Sequence, residues 1–105
     1  MPQFAVHRNR NAATRARYPL LLDVQSDLLA GMGTRVVVPL VLFSALGESA
    51  LTTLTPALTI EGERYAALTP QLAGIAASEL GAVVADLSGE RSSILAALDL
   101  LITGH

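Results

Sequence analysis

Short apolar runs punctuated by turn residues occupy most of this chain, and a longer run at helical spacing closes it. Phe4-Ala5-Val6 predicts a short first strand. Tyr18 to Val24 predicts a second, with Pro19 near its start, where a missing N–H is tolerated. Gly31-Met32-Gly33 is turn chemistry, and the β-branched run Thr34 to Phe43 follows it. Pro39 interrupts that run and calls for an edge position, a bulge or a bend. Leu58-Thr59-Ile60 and Arg64-Tyr65-Ala66 flank Glu61-Gly62-Glu63, which predicts a hairpin with Gly62 at positive φ. Val83-Val84-Ala85 makes a last strand before Asp86-Leu87-Ser88. Five or so strands with short turns predict a small antiparallel barrel or sandwich. Glu48–Leu54 and Thr69–Gly81 carry no decisive period, although Thr69-Pro70 can open a helical turn.

From Ser88 the period changes. Ile94, Leu95, Leu98, Leu101 and Ile102 fall at helical spacing, with Ala96, Ala97 and Asp99 off the main apolar stripe. Ser88 is the expected N-cap, Glu90 complements the positive helix end, and Gly104 fits the C′ position. The fold class is therefore mainly β with a C-terminal α-helix.

Composition narrows the function. The chain has 105 residues, 51% of them hydrophobic, which suits one domain over residues 1–105 and is too apolar for disorder. It has no cysteine, which excludes disulfides, a thiolate nucleophile and Cys-based zinc sites. Two histidines, His7 and His105, sit at opposite ends, so no metal or other cofactor is expected. No window reaches the length of a membrane helix; the longest, Val36 to Leu46, contains Pro39. The first residues lack the apolar stretch of a secretory signal, which makes the cytoplasm the expected location.

A net charge of −2 gives no global reason to bind nucleic acid, but the charge is uneven. Residues 1–22 carry Arg8, Arg10, Arg15 and Arg17 and no acid, while residues 23–105 carry three arginines and all nine acids. The four arginines are expected on an exposed loop between the first two strands. Such a run is either a solvated loop or a docking site for an acidic segment, since guanidinium pairs carboxylate bidentately.

No enzyme motif is present: no phosphate loop, no dinucleotide fingerprint, no nucleophile elbow and no zinc-protease helix. Asp23 and Asp27 are four apart, roughly 13 Å if extended and too far for a glycosidase pair. Turn and loop hydrogen bonding is their expected role. A nuclease could be offered only Arg35 beside Thr34, so catalysis is not supported.

The run Asp23-Val24-Gln25-Ser26-Asp27-Leu28-Leu29 is a polar turn followed by two leucines, which outside a strand do not both point inward. One is expected as an exposed apolar anchor. Together with Gln3-Phe4, Arg35-Val36-Val37-Val38-Pro39-Leu40, Val84-Ala85-Asp86-Leu87-Ser88 and Gly104 one residue from the end, this run resembles the CcdB family of toxins from toxin–antitoxin systems.

That resemblance implies a non-enzymatic homodimer of a small SH3-like antiparallel barrel. It also implies binding to the A subunit of DNA gyrase, trapping the cleaved DNA complex. The implied gyrase-facing residues are Leu28, Leu29, Asp99, Thr103, Gly104 and His105. A cognate antitoxin with an acidic disordered tail would bind the arginine loop, and the pair would repress its operon, touching operator DNA only through the antitoxin. The chain departs from the family's Trp-Gly-Ile ending with Thr103-Gly104-His105, and Asp99 stands where the family has Asn. Two alternatives follow: a degenerate relative that binds antitoxin without poisoning gyrase, and a MazF-like endoribonuclease on a similar barrel.

Overall fold

The valine- and leucine-rich run Thr34–Leu42 is the longest strand and the spine of the sheet. The computed structural model describes residues 2–46 and 52–104, so His105 and most of the ambiguous Glu48–Leu54 segment lie outside the described residues. In chain order the strands are β1 (Ala5–Asn9), β2 (Leu20–Asp23), β3 (Thr34–Leu42), β4 (Ala57–Ile60), β5 (Glu63–Ala67), β6 (Ala73–Ala76) and β7 (Leu80–Asp86). A single helix, α1 (Arg91–Thr103), follows. The sheet runs β4-β5-β3-β2-β1-β7, with β6 also paired to β3, and all of these pairings are antiparallel. Curled round its core, it is an antiparallel half-barrel with one C-terminal helix.

Pro39 lies in the middle of this spine rather than at an edge. On one side β3 pairs continuously with β2; on the other it pairs with β6 over residues 34–37 and with β5 over residues 40–42. The Pro39 carbonyl accepts from the Leu68 N–H, so the proline nitrogen faces that same side, where one partner strand has ended and the next has not begun. A ladder donor is not needed there, which is how a proline fits inside a central strand.

The period-two alternation sorts side chains onto two faces. Val6, Leu20, Leu22, Val38 and Leu40 join Leu58, Ile60 and Ile94 in the main core. Leu21 and Val37 point the other way and form a smaller cluster with Leu80 and Ile75. The 58–66 hairpin forms as expected, with Glu61 at φ 53° and Gly62 at φ 80° in a two-residue turn.

Other elements shift from their expected places. The first strand begins after Phe4, whose φ of 70° takes it out of the strand. Phe4 is held there by its N–H to the Asp23 carbonyl (2.6 Å), by its carbonyl to the Leu87 N–H (2.9 Å) and by its buried ring. The strand then continues to Asn9, so Arg8 belongs to β1 and not to the loop. Thr69–Pro70 opens a 3₁₀ turn, and the undecided stretch after it contains β6. Ser88 is not the helix N-cap: a 3₁₀ turn at Ser88–Glu90 comes first, and its entry is fixed by the Ser88 N–H donating to Asp86 Oδ1 (2.9 Å). Gly104 caps the other end at φ 81°, donating to the Leu100 carbonyl. The buried face of α1 runs through Ile94 and the small Ala97, with Leu95 and Leu98 half-buried beside them. Leu101 and Ile102 overhang the core and stay exposed.

Replacing Gly62 by Ala puts a Cβ on a left-handed residue and is expected to cost about 1–2 kcal/mol. Gly31→Ala, at a position with open space and no positive φ, should change little. Thermal unfolding separates the two: a drop of roughly 4–8 °C per kcal/mol for Gly62→Ala alone is the expected result.

Candidate functional site

The strand β2 ends in a charge that water does not reach. Asp23 is fully buried, and its Oδ2 accepts from both Nε and Nη2 of Arg35 at 2.8 Å; Arg35 itself is only 2% exposed. Asp23 Oδ1 accepts the Gln25 N–H at 3.0 Å. The Gln25 side chain then bridges two segments, accepting from the Val36 N–H and donating to the Leu29 carbonyl, both at 3.0 Å. Ser26 Oγ accepts the Leu28 N–H, and Asp27 Oδ1 accepts the Gln3 N–H at 2.8 Å. Gln3 Nε2 reaches the Val24 carbonyl. Every polar residue of Asp23-Val24-Gln25-Ser26-Asp27 is therefore spent on bracing a 3₁₀ turn at Asp27–Leu29.

That turn carries apolar side chains outward. Leu28 is 95% exposed, and Leu29 and Met32 are about half exposed. Large apolar groups in water, held by a buried polar frame, mark a contact surface better than a scattered leucine does. The Asp27 expectation of turn bonding holds. The expectation for Asp23 covers only one oxygen: Oδ1 accepts the Gln25 N–H two residues on, as in a turn, while Oδ2 makes it half of a buried ion pair with Arg35. A signal was present, since an acid in the period of an inward strand face needs a cation, and Arg35 is the sole basic residue between Tyr18 and Glu63.

The end of α1 is the second candidate surface. Asp99, Thr103 and Gly104 are all exposed, and so is Ile102, at 73%. The Thr103 hydroxyl turns back to donate to the Asp99 carbonyl (2.7 Å), so it offers no outward anchor. His105 lies outside the described residues.

The arginines form the third. Arg8, Arg10, Arg15 and Arg17 are all exposed. The connection between β1 and β2 is tightly tied down: Asn9 Nδ2 donates to Thr14 Oγ1 and the Tyr18 carbonyl, and its Oδ1 accepts the Asn11 N–H. Asn11 Nδ2 donates to Glu79 Oε1 (2.6 Å), and the Arg10 N–H donates to the Glu79 carbonyl. The Arg17 guanidinium sits 5.4 Å from the Tyr18 ring centre. Gly81 leaves room for the arginines, because a Cβ there would lie 2.9 Å from the Arg8 carbonyl oxygen and 3.0 Å from Arg10 Cγ. This order was not among the sequence expectations; its signal is the asparagines interleaved with the arginines, side chains that cap turns.

His7 is also buried, with Nδ1 donating to the Gly81 carbonyl (3.0 Å) and Nε2 without a partner. Among the described residues no group of three or more histidines and carboxylates is placed to hold a metal ion. Among those residues no helix is long and apolar enough to cross a membrane.

A protein-family model described as CcdB protein matches residues 3–104, nearly the whole chain. The half-barrel with a C-terminal helix is the small CcdB-type barrel that the sequence resemblance implied.

The ion pair and the exposed leucine should separate cleanly in stability measurements. Arg35→Met strands the Asp23 carboxylate in the interior and is expected to cost about 3–5 kcal/mol by urea unfolding. Leu28→Ser, at a side chain already in water, should stay within about 0.5 kcal/mol of the parent.

Proposed function

Because the chain belongs to the CcdB family, toxins of toxin–antitoxin systems, we propose that it is a gyrase-directed toxin neutralised by a cognate antitoxin. The observation that carries this reading is Leu28, an apolar side chain kept in water by a frame of buried polar bonds. Such a residue suits anchoring in a pocket on a partner protein, where a few large side chains supply most of the binding energy. In this reading a homodimer presents Leu28, Leu29 and the helix ends carrying Asp99, Thr103, Gly104 and His105 to the gyrase A subunit. Contact stabilises the state in which DNA is cut and joined to the enzyme. The toxin supplies no chemistry. Its contribution is to bind the cleaved state more tightly than the resealed one, since a ligand shifts an equilibrium only by its differential affinity.

Arg8, Arg10, Arg15 and Arg17 take the antitoxin's acidic tail, which is steered by charge and folds on binding. The toxin–antitoxin pair then represses its operon through the antitoxin's contact with operator DNA. A nuclease reading finds less support. Arg35, the basic residue closest to an acid–base arrangement, is buried against Asp23 and not open to RNA.

A second reading is favoured by one feature. Thr103 bonds back to its own helix instead of presenting an anchor, which suits a relative that binds antitoxin without poisoning gyrase. Incubating the protein with the source organism's gyrase, supercoiled DNA and ATP, then digesting with protease, distinguishes the two. Linear DNA is the expected result, and its absence with folded protein would favour the second reading. Thr103→Trp should tighten gyrase binding by at least about 30-fold, as an interface aromatic adds roughly 2 kcal/mol. Antitoxin binding should weaken steeply between low and moderate salt; an unchanged affinity would remove the arginines from that surface.

A further inference from the structure

Beside the β1–β2 connection, which carries Arg10, Arg15 and Arg17, lies a cleft of about 200 Å³. Its depth is apolar, reaching the buried Leu21 and Val37 and the half-buried Ile75 of the smaller cluster. Its rim is polar and tied in place. The Tyr18 hydroxyl donates to Gln71 Oε1 (2.7 Å), and Asn11 Nδ2 donates to Glu79 Oε1, so the opening exists before anything binds.

Size limits what can enter. Pockets for cofactors and drug-sized ligands run to roughly 300–1,000 Å³, which leaves this one suited to a single side chain. Charge decides whose side chain. Arg10, Arg15 and Arg17 are exposed on the connection whose Asn11, Thr14 and Tyr18 line the cleft. The Arg10 N–H donates to the carbonyl of the lining Glu79, and the Arg17 guanidinium lies 5.4 Å from the Tyr18 ring centre, whereas Arg8, paired with Leu20, is on the other face of the sheet. Glu79 is the one acid in the lining, and its carboxylate already accepts from Asn11.

We propose that this cleft receives one large apolar side chain of an acidic segment whose carboxylates pair with the surrounding arginines. The inference rests on the reading of the arginines as the antitoxin surface and adds to it the point of anchorage. Charge alone would hold an acidic chain in many registers. One buried side chain fixes a single register, because burying an aromatic side chain is worth more than any rim ion pair.

The test uses a short fluorescein-labelled peptide rich in Asp and Glu with one central Phe, and the same peptide with Ser in place of Phe. Each is titrated into the full chain at low salt, with anisotropy as the readout. The Phe peptide should bind about tenfold tighter or more, and the Leu21, Val37 and Ile75 methyl NMR signals should shift on its addition. Ala73→Phe, which fills the cleft from an exposed lining position, should bring the ratio of the two affinities to about one. The unmodified chain gives the ratio on its own if that variant does not fold. Equal, salt-sensitive binding of both peptides would overturn the anchor while leaving the arginine surface standing. Binding of neither would overturn both. Methyl signals that move with protein concentration and not with peptide would assign the cleft to a second copy of this chain and overturn the proposal.

Discussion

Burying Asp23 obliges everything around it. An isolated carboxylate removed from water costs several kcal/mol, so a cation must come to it and its remaining lone pairs must be used. Arg35 supplies the cation from the second residue of β3, and the Gln25 N–H takes the second oxygen. Gln25 is thereby placed to tie Val36 to Leu29. The path of the chain from Asp23 to Val36 is set by polar groups with strict geometry rather than by packing. This frees Leu28 from the core.

Such a pair is weak evidence for stability, because well-packed apolar residues of similar size often do as well or better. Its presence is better understood through position. A loop held by apolar contacts would draw Leu28 and Leu29 inward, since burial of a leucine is favourable by about 1.5–3 kcal/mol. A loop held by buried hydrogen bonds leaves those leucines outside. The spine strand makes the same division on a larger scale. Through β3 one face of the sheet carries the main core and α1, and the other carries the small cluster beside the β1–β2 connection. The helix end and the arginine cleft thus belong to opposite faces of one sheet.

Much of this was legible in the sequence. The apolar runs placed β3 and the 58–66 hairpin almost to the residue and β2 inside the longer expected Tyr18–Val24, and Gly62 and Gly104 marked the two positive-φ turns they occupy. What escaped was set by tertiary contacts. Strand β6 has the sequence Ala-Gly-Ile-Ala, without a period of its own, and forms because β3 needs a partner beside Val36 and Val37. The buried stripe of α1 passes through Ala97 because a small residue lets the helix lie close, a choice that hydrophobicity alone does not reveal. The exposure of a leucine at position 28 or 29 was readable from the crowding of two apolar residues after a polar turn. The Asp23–Arg35 pair was signalled only by Arg35 being the sole basic residue between Tyr18 and Glu63; its partners are 12 residues apart and meet only when β2 and β3 take this register.

The central claim is that the buried pair exists to position the leucine tip. Replacing both charges at once, Asp23→Leu with Arg35→Met, removes the frame without stranding a charge. The account predicts an unfolding free energy within about 2 kcal/mol of the parent, together with at least about tenfold weaker binding to the gyrase A subunit. A variant that folds and binds the gyrase A subunit as tightly as the parent would contradict it.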